Sequence, residues 1–240
     1  MGKLYIISRS SQPFSDRREA GILLGNELKK RELEKENPVI VAILRGGIIV
    51  ARKVALILNC DLDIALSRKL GAPFNPELAI GAISENGDLF INEMIAAQVG
   101  ATDLFINREK AEQAEVIAER IKYFRRDFPK ISLKGRYVII IDDGIATGAT
   151  MQATIWSINH ENPRKLLVAL PVGPEDSLKR LTKDVDEVIC LQVPEFFSAV
   201  GQFYFKFEQT EDEEVLQILK EEKQRASDEN RVIEKVGRAV

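Results

Sequence analysis

The chain's 240 residues are 45% apolar, enough to bury the core of one large α/β domain or of one domain with a small appendage. Its 34 basic and 37 acidic side chains give a formal charge of −3, without the basic excess of a nucleic-acid surface. Two distant cysteines, Cys60 and Cys190, and one histidine, His160, argue against a disulfide framework, a multi-histidine metal site and a Ser-His-Asp triad. The opening run Leu4–Ile7 is too short for a signal peptide. No segment approaches the roughly 20 apolar residues of a membrane span. The expectation is a cytoplasmic protein with neither membrane nor nucleic acid as partner.

In chain order, Ser15 and acidic Asp16 open a predicted helix over 16–33, with Ala20, Leu24 and Leu28 as its apolar stripe. Pro38–Leu44 is a continuous apolar, β-branched run, which suits a strand buried on both faces. Arg45-Gly-Gly47 breaks it; a helix over 48–58 and a short strand over 62–66 follow. Residues 67–104 are punctuated by Gly71, Pro73, Pro76, Gly81, Gly87 and Gly100, so that only Ala79–Ser84 and Leu89–Asn92 look strand-like. This is a long, loop-rich insertion, and such insertions are often functional. Asn107 is the expected cap of the next helix, whose stripe is Ala114, Ile117, Ala118, Ile121 and Phe124.

From Arg136 onward strands and helices alternate: strand 136–142, helix 149–160, strand 166–171, helix near 174–183, strand 187–191. That alternation implies a doubly wound, mostly parallel sheet with helices on both faces, a three-layer α/β/α fold. An aromatic-rich segment follows (Phe196, Phe197, Phe203, Tyr204, Phe205, Phe207), then a charged helical tail over 211–240. In the tail, Val232, Val236 and Val240 recur at i, i+4 spacing and could serve a homodimer contact or an ordinary satellite helix.

The most informative stretch is Val138–Met151, an apolar strand, two aspartates and Gly144-Ile-Ala-Thr-Gly-Ala-Thr150. Small residues between a strand end and a helix let backbone N–H groups converge on an anion at the helix N-terminus. Thr147 and Thr150 add hydroxyl donors, and Gly148 permits close approach of backbone to a phosphate. Asp142 and Asp143 stand where carboxylates would accept from sugar hydroxyls, so a phosphorylated sugar fits better than bare phosphate. A plain turn would account for the glycine but not for paired acids followed by Thr-Gly-Ala-Thr.

These residues resemble the phosphoribosyl-pyrophosphate (PRPP) motif of type I phosphoribosyltransferases, and the likeness runs from about Phe14 to about Leu219. It implies that Asp142 and Asp143 hold the ribose hydroxyls and that Gly144, Ile145, Ala146, Thr147, Gly148, Ala149 and Thr150 cradle the 5-phosphate. Leu44-Arg-Gly-Gly47 is similar to the family's pyrophosphate loop, which often holds a non-proline cis peptide, here expected at Leu44–Arg45. Arg45 and the amides near Gly46 and Gly47 would face the diphosphate. The implied fold sets strand 38–44 beside strand 136–142, with the strand order reversing between them, where open α/β sheets bind ligands. Arg68-Lys69 is similar to the cationic pair that meets pyrophosphate in the adenine- and xanthine-type enzymes, and 72–104 to the family's mobile hood.

The resemblance thus implies a domain over 1–220 with a hood at 67–104. The activity it implies is transfer of a 5-phosphoribosyl group from PRPP to a nitrogen acceptor such as a nucleobase, with release of pyrophosphate. Magnesium would arrive on the diphosphate and ribose oxygens rather than in a cage of protein side chains. Ala146 replaces the aspartate that hypoxanthine-guanine enzymes carry there, so the acceptor stays unnamed. Phe196, Phe197 and Phe203 lie where the family often supplies an aromatic to stack on the acceptor, although such spacing also suits core packing. Two other readings remain open: a PRPP- or nucleotide-sensing regulator without transfer chemistry, and a ribose-phosphate hydrolase or phosphorylase.

Overall fold

The computed structural model describes residues 2–237. Among the described residues, six strands form one wholly parallel sheet: β1 (Lys3–Ser8), β2 (Val39–Ile43), β3 (Asp61–Ala65), β7 (Tyr137–Ile141), β8 (Lys165–Val172) and β9 (Glu187–Gln192). Their order is β1-β9-β8-β7-β2-β3, so the chain winds outward in one direction from β2 and in the other from β7. The expected reversal therefore lies between β2 and β7, which pair in parallel from Val39↔Val138 to Ala42↔Ile141. Both strands are buried at every residue, as their unbroken apolar runs require.

Alternate residues of each strand feed two separate cores. Ile40, Ala42, Ile139, Ile141 and Leu167 pack with Leu24 and Leu28 of α1 (Arg17–Lys30), Val50 and Val54 of α2 (Gly47–Leu58), and Val215 and Leu219 of the C-terminal helix, here α7 (Asp212–Gly237). On the other face Val39, Val41, Val138, Ile140 and Val168 meet Met151, Ile155 and Ile158 of α5 (Ala149–Asn159) and Leu178 and Leu181 of α6 (Glu175–Leu181). This is the three-layer arrangement expected from the alternation. Cys60 and Cys190 are buried, and burial pushes both thiols up to about 12, which leaves them unreactive. Val232, Val236 and Val240 lie outside the residues whose side chains the structure describes.

Several boundaries differ from the sequence reading. Asp16 rather than Ser15 caps α1, accepting from the amides of Arg18 and Glu19 at 2.8 and 2.9 Å, while the Ser15 hydroxyl donates to Glu19. Thr102 rather than Asn107 caps α4 (Asp103–Phe124). Lys3–Ser8 is a sheet-edge strand, held by pairing with a segment more than 180 residues away in the chain (Lys3↔Glu187), which no local pattern announces.

The insertion carries more regular structure than its punctuation suggests. β4 (Arg68–Ala72), β5 (Asn75–Ile83) and β6 (Leu89–Ile91) make an antiparallel sheet, followed by α3 (Glu93–Gln98). Gly71 and Gly81 sit inside its strands, where neighbouring backbone comes too close for a side chain: a Cβ on Gly81 would lie 2.3 Å from the Phe90 carbonyl oxygen. One face of this sheet packs Leu70, Ile80 and Ile83 on Ile117 of α4. The other sets Ala79 and Ala82 on Ala153 and Trp156 of α5, with the Phe90 ring 4.6 Å from the Trp156 ring.

A buried ion cluster pins the insertion to the core. Arg125 donates to Asp63 of β3, to the Ile64 carbonyl and, through two nitrogens, to Glu85 at the β5–β6 turn. Asp63 also accepts from the Ile131 amide. Removing Arg125 leaves Asp63 buried without a cation, and Glu85 with only Lys130 at 3.4 Å. Arg125→Ala is therefore expected to lower the unfolding free energy by about 3–5 kcal/mol. Urea denaturation checks this, and a loss under about 1 kcal/mol would show that these acids are not desolvated as the cluster implies.

Candidate active site

The parallel pairing of β2 and β7 sets their carboxyl ends side by side, and the two turns that follow come into contact. The Leu44–Arg45 peptide is cis, and Gly47 begins α2. A Cβ on Gly46 would fall 2.0 Å from Asp143 Oδ2, and one on Gly47 would fall 2.9 Å from both Cα and Oδ1 of Asp142. Glycine is thus required at both positions, each for close packing against one aspartate. Leu44–Gly47 and Asp142–Asp143 meet at the point where the strand order reverses, the place where open α/β sheets carry their ligand crevice.

The carboxylates are held differently. Asp142 Oδ1 accepts from the Asp143 amide at 2.8 Å. Asp143 Oδ2 accepts from Arg17 Nε at 2.7 Å, and Arg17 is only 8% exposed. Arg17 Nη1 donates to the Glu208 carbonyl at 2.7 Å, and its guanidinium lies 3.8 Å over the Phe207 ring. The Tyr204 hydroxyl donates to the Asp143 carbonyl at 2.5 Å, and Tyr204 itself bridges Phe14. Burial, and then the adjacent Asp143 charge, raise the Asp142 carboxyl well above the usual aspartate range. Burial also raises Asp143, with the Arg17 guanidinium working against it.

The turn over 144–150 is anchored from outside through its backbone and side chains. The Ile145 amide donates to the Val172 carbonyl, and the Ile145 side chain is buried. Ser177 Oγ donates to the Ala146 carbonyl at 2.7 Å and Arg180 to the Thr147 carbonyl at 3.2 Å. Gly148, at φ +77°, caps α5 without a side-chain bond, as a glycine can. Thr147 Oγ1 accepts from the Ala149 amide at 3.4 Å. The first amides of α5, including that of Thr150, have no intrahelical acceptor, the arrangement by which helix starts attract anions. Beside it runs a groove of about 450 Å³ between the insertion and α5–α6, lined by Asn75, Glu77, Asn92, Thr147, Gln152 and Arg180 among others.

The candidate cations are dispersed. Arg45 Nη1 lies 3.3 Å from Glu211 and 3.9 Å from Asp212 at the start of α7. Arg68 and Lys69, adjacent on β4, point to opposite faces of the small sheet. Arg68 donates to Gln113 of α4 at 2.9 Å, and burial, then nearby Arg120, push its guanidinium below the usual range. Lys69 pairs across the strands with Ala82, on the face turned to α5, and its ammonium meets Glu77 at 3.1 Å. The two are therefore not brought together. Among the aromatics, Phe203 is sealed in the core and offers no face to a ligand; Phe197 stacks on it at 5.3 Å, and Phe196 is 80% exposed.

Arg17, Tyr204, Phe207, Ser177 and Arg180 are site residues that the sequence reading did not single out. For Arg17 a signal existed: a cation at the first turn of a helix opposes the helix dipole and calls for a compensating anion, which here is Asp143. Because the folded protein holds the Asp142 proton more tightly than the unfolded chain does, fold stability falls as pH rises above the ordinary aspartate pKa of about 3.9. Asp142→Asn removes this cost. In the absence of substrate it is expected to raise the melting temperature at pH 7, a gain that shrinks to nothing below about pH 4. Thermal scans across that range test this; a destabilised variant at pH 7 would refute the repulsion.

Among the described residues no helix is long and apolar enough to cross a membrane. The model of the phosphoribosyl transferase domain family matches residues 19–208. Two curated proteins from two strains of Mycobacterium tuberculosis, each carrying the name "Putative phosphoribosyl transferase", are 39% identical over 206 residues, covering 86% of this chain and 46% of theirs. The chain thus spans about half the length of the curated relatives it matches. The crystal structure of TT1426 from Thermus thermophilus shares 42% identity with a TM-score of 0.81, covering 87% of this chain and 98% of that one. With a family match over most of its length, set on a fold whose two glycines pack against two adjacent aspartates, this chain belongs to the phosphoribosyl transferase domain family.

Proposed function

We propose that the protein transfers a 5-phosphoribosyl group from PRPP, bound with magnesium, to a nitrogen acceptor, releasing pyrophosphate. The observation that carries this reading is the contact of Gly46 and Gly47 with Asp143 and Asp142, which joins a diphosphate-type loop to a ribose-type carboxylate pair in one crevice. A sensor of the 5-phosphate alone would need the turn over 144–150 but not this second loop. The β2–α2 junction would take the diphosphate, Asp142 and Asp143 the ribose hydroxyls, and the amides at the start of α5 the 5-phosphate.

Asp142 and Asp143 are hard oxygen donors that would suit magnesium arriving on the substrate's own diphosphate and ribose oxygens, where it would offset diphosphate charge. The chain's own contribution is positioning and fixed electrostatics: donors aimed at the departing diphosphate and carboxylates beside the positive charge that develops on the sugar. The insertion, standing over the 450 Å³ groove beside the phosphate turn, would exclude water from the activated sugar. Ala146 offers no polar side chain to a purine, so the donor is named by this reading and the acceptor is not.

Incubation with PRPP, magnesium and a panel of nucleobases is expected to release pyrophosphate with one acceptor or one narrow class. Tight PRPP binding with no turnover across the panel would instead identify a sensor. Asp143→Asn is expected to abolish binding or turnover; near-normal activity would sink the ribose assignment. Gly46→Ala, which places a methyl on Asp143, should lower kcat/KM by at least about 100-fold, the scale of a displaced catalytic group. Wild-type kinetics for that variant would show that the crevice is not the site.

A further inference from the structure

Resting on the function proposed above, one residue remains unassigned. Arg17 is a buried cation joined to Asp143, but it belongs neither to the phosphate turn nor to the 44–47 loop. Its surroundings are built with care: Nε is taken by Asp143 Oδ2, Nη1 by the Glu208 carbonyl, and the plane of the guanidinium by the Phe207 ring. Phe207 in turn stacks on Tyr204 at 5.1 Å, and the Tyr204 hydroxyl reaches the Asp143 carbonyl. Helix α1 and the segment 203–208 therefore grip Asp143 at two points, side chain and backbone. Nη2 has no protein acceptor among the described residues, and Arg17 lines a cleft of about 300 Å³ with Arg18, Lys206 and Thr210. A Cβ on Gly46 would lie 3.0 Å from Arg17 Nε, so the guanidinium also borders the 44–47 loop.

We propose that Arg17 is a positioning residue for PRPP: it aims the Asp143 carboxylate at the ribose and offsets the second negative charge beside Asp142. Two half-buried carboxylates on successive residues repel, and a carboxylate free to rotate would turn toward water or toward any nearby cation. Arg17 removes both escapes, because its planar fork fixes one carboxylate oxygen and leaves the other for substrate. Its span between Asp143 and the Glu208 carbonyl is what lysine, a point charge, cannot reproduce.

A merely structural role, in which Arg17 only ties α1 to the 203–208 segment, makes different predictions, and these separate on kinetics. Arg17→Met is expected to lower kcat/KM for PRPP by about 100-fold while changing KM for the acceptor by less than roughly threefold. Arg17→Lys should recover part of that loss. Millimolar guanidinium added to Arg17→Ala should restore turnover about tenfold, since the small cation can re-enter the vacated place beside Asp143. Phe207→Leu, at a partly exposed position and so compatible with folding, should weaken PRPP selectively by about fivefold through the lost stacking.

The proposal is overturned if folded Arg17→Met binds magnesium–PRPP as the wild type does in isothermal titration calorimetry. Losses that fall equally on PRPP and acceptor, with no guanidinium rescue and no selective effect of Phe207→Leu, overturn it as well. Wild-type protein that fails to bind magnesium–PRPP removes the proposed function and this role with it. Wild-type binding that Arg17 variants leave intact removes only the role of Arg17.

Discussion

The parallel pairing of β2 with β7 is the constraint on which the rest of the site depends. Residues separated by about a hundred positions in the chain become neighbours because hydrogen bonds between two buried, fully apolar strands fix their register. A shift of one residue would turn each strand's core set to the wrong face, where the two helical layers could not accept it. The register therefore fixes where the two turns leave the sheet. It brings them so close that only glycine fits at positions 46 and 47. The geometry of the crevice is a consequence of apolar packing beneath it.

The same molecule handles buried charge in two ways. Around Arg125, a cation meets Asp63 and Glu85 in a cluster with several mutual hydrogen bonds, and it serves attachment of the insertion to the core. At the crevice two acids share one cation, Arg17, and both carboxyls are displaced upward by burial. An imbalance of that kind disfavours the fold where it stands, and displaced carboxyl groups of this sort gather at functional sites. The first arrangement is closed; the second keeps acceptors in reserve.

The insertion links these regions. Its small sheet has one face on α4 and the other on α5, and its edge borders the groove beside the turn over 144–150. That geometry assigns neighbouring residues different work: Lys69 stands on the α5 side, whereas Arg68 is directed to Gln113. A basic dipeptide read as one unit is divided by the alternation of a strand. The C-terminal segment contributes in a similar indirect manner, through the Tyr204 hydroxyl and the Phe207 ring rather than through Phe203, which the core consumes.

By itself the amino-acid sequence determined the fold class, the turn of small residues after the paired aspartates, and the glycine loop after β2. Each of these is local: a buried strand, a turn and a helix start announce themselves within about a dozen residues through apolar runs, small residues and caps. Only the tertiary structure decided that Asp143 is held by Arg17, that Lys3–Ser8 is a strand, and that the insertion is a sheet. Arg17 and Asp143 are 126 residues apart, and β1 exists because β9 offers it a free edge. Gly71 and Gly81 look like turn markers in sequence but record the approach of another strand, a fact that belongs to the partner and not to the glycine. What a residue is can be read along the chain; what stands against it is settled by packing, because long-range contacts leave little mark on local pattern.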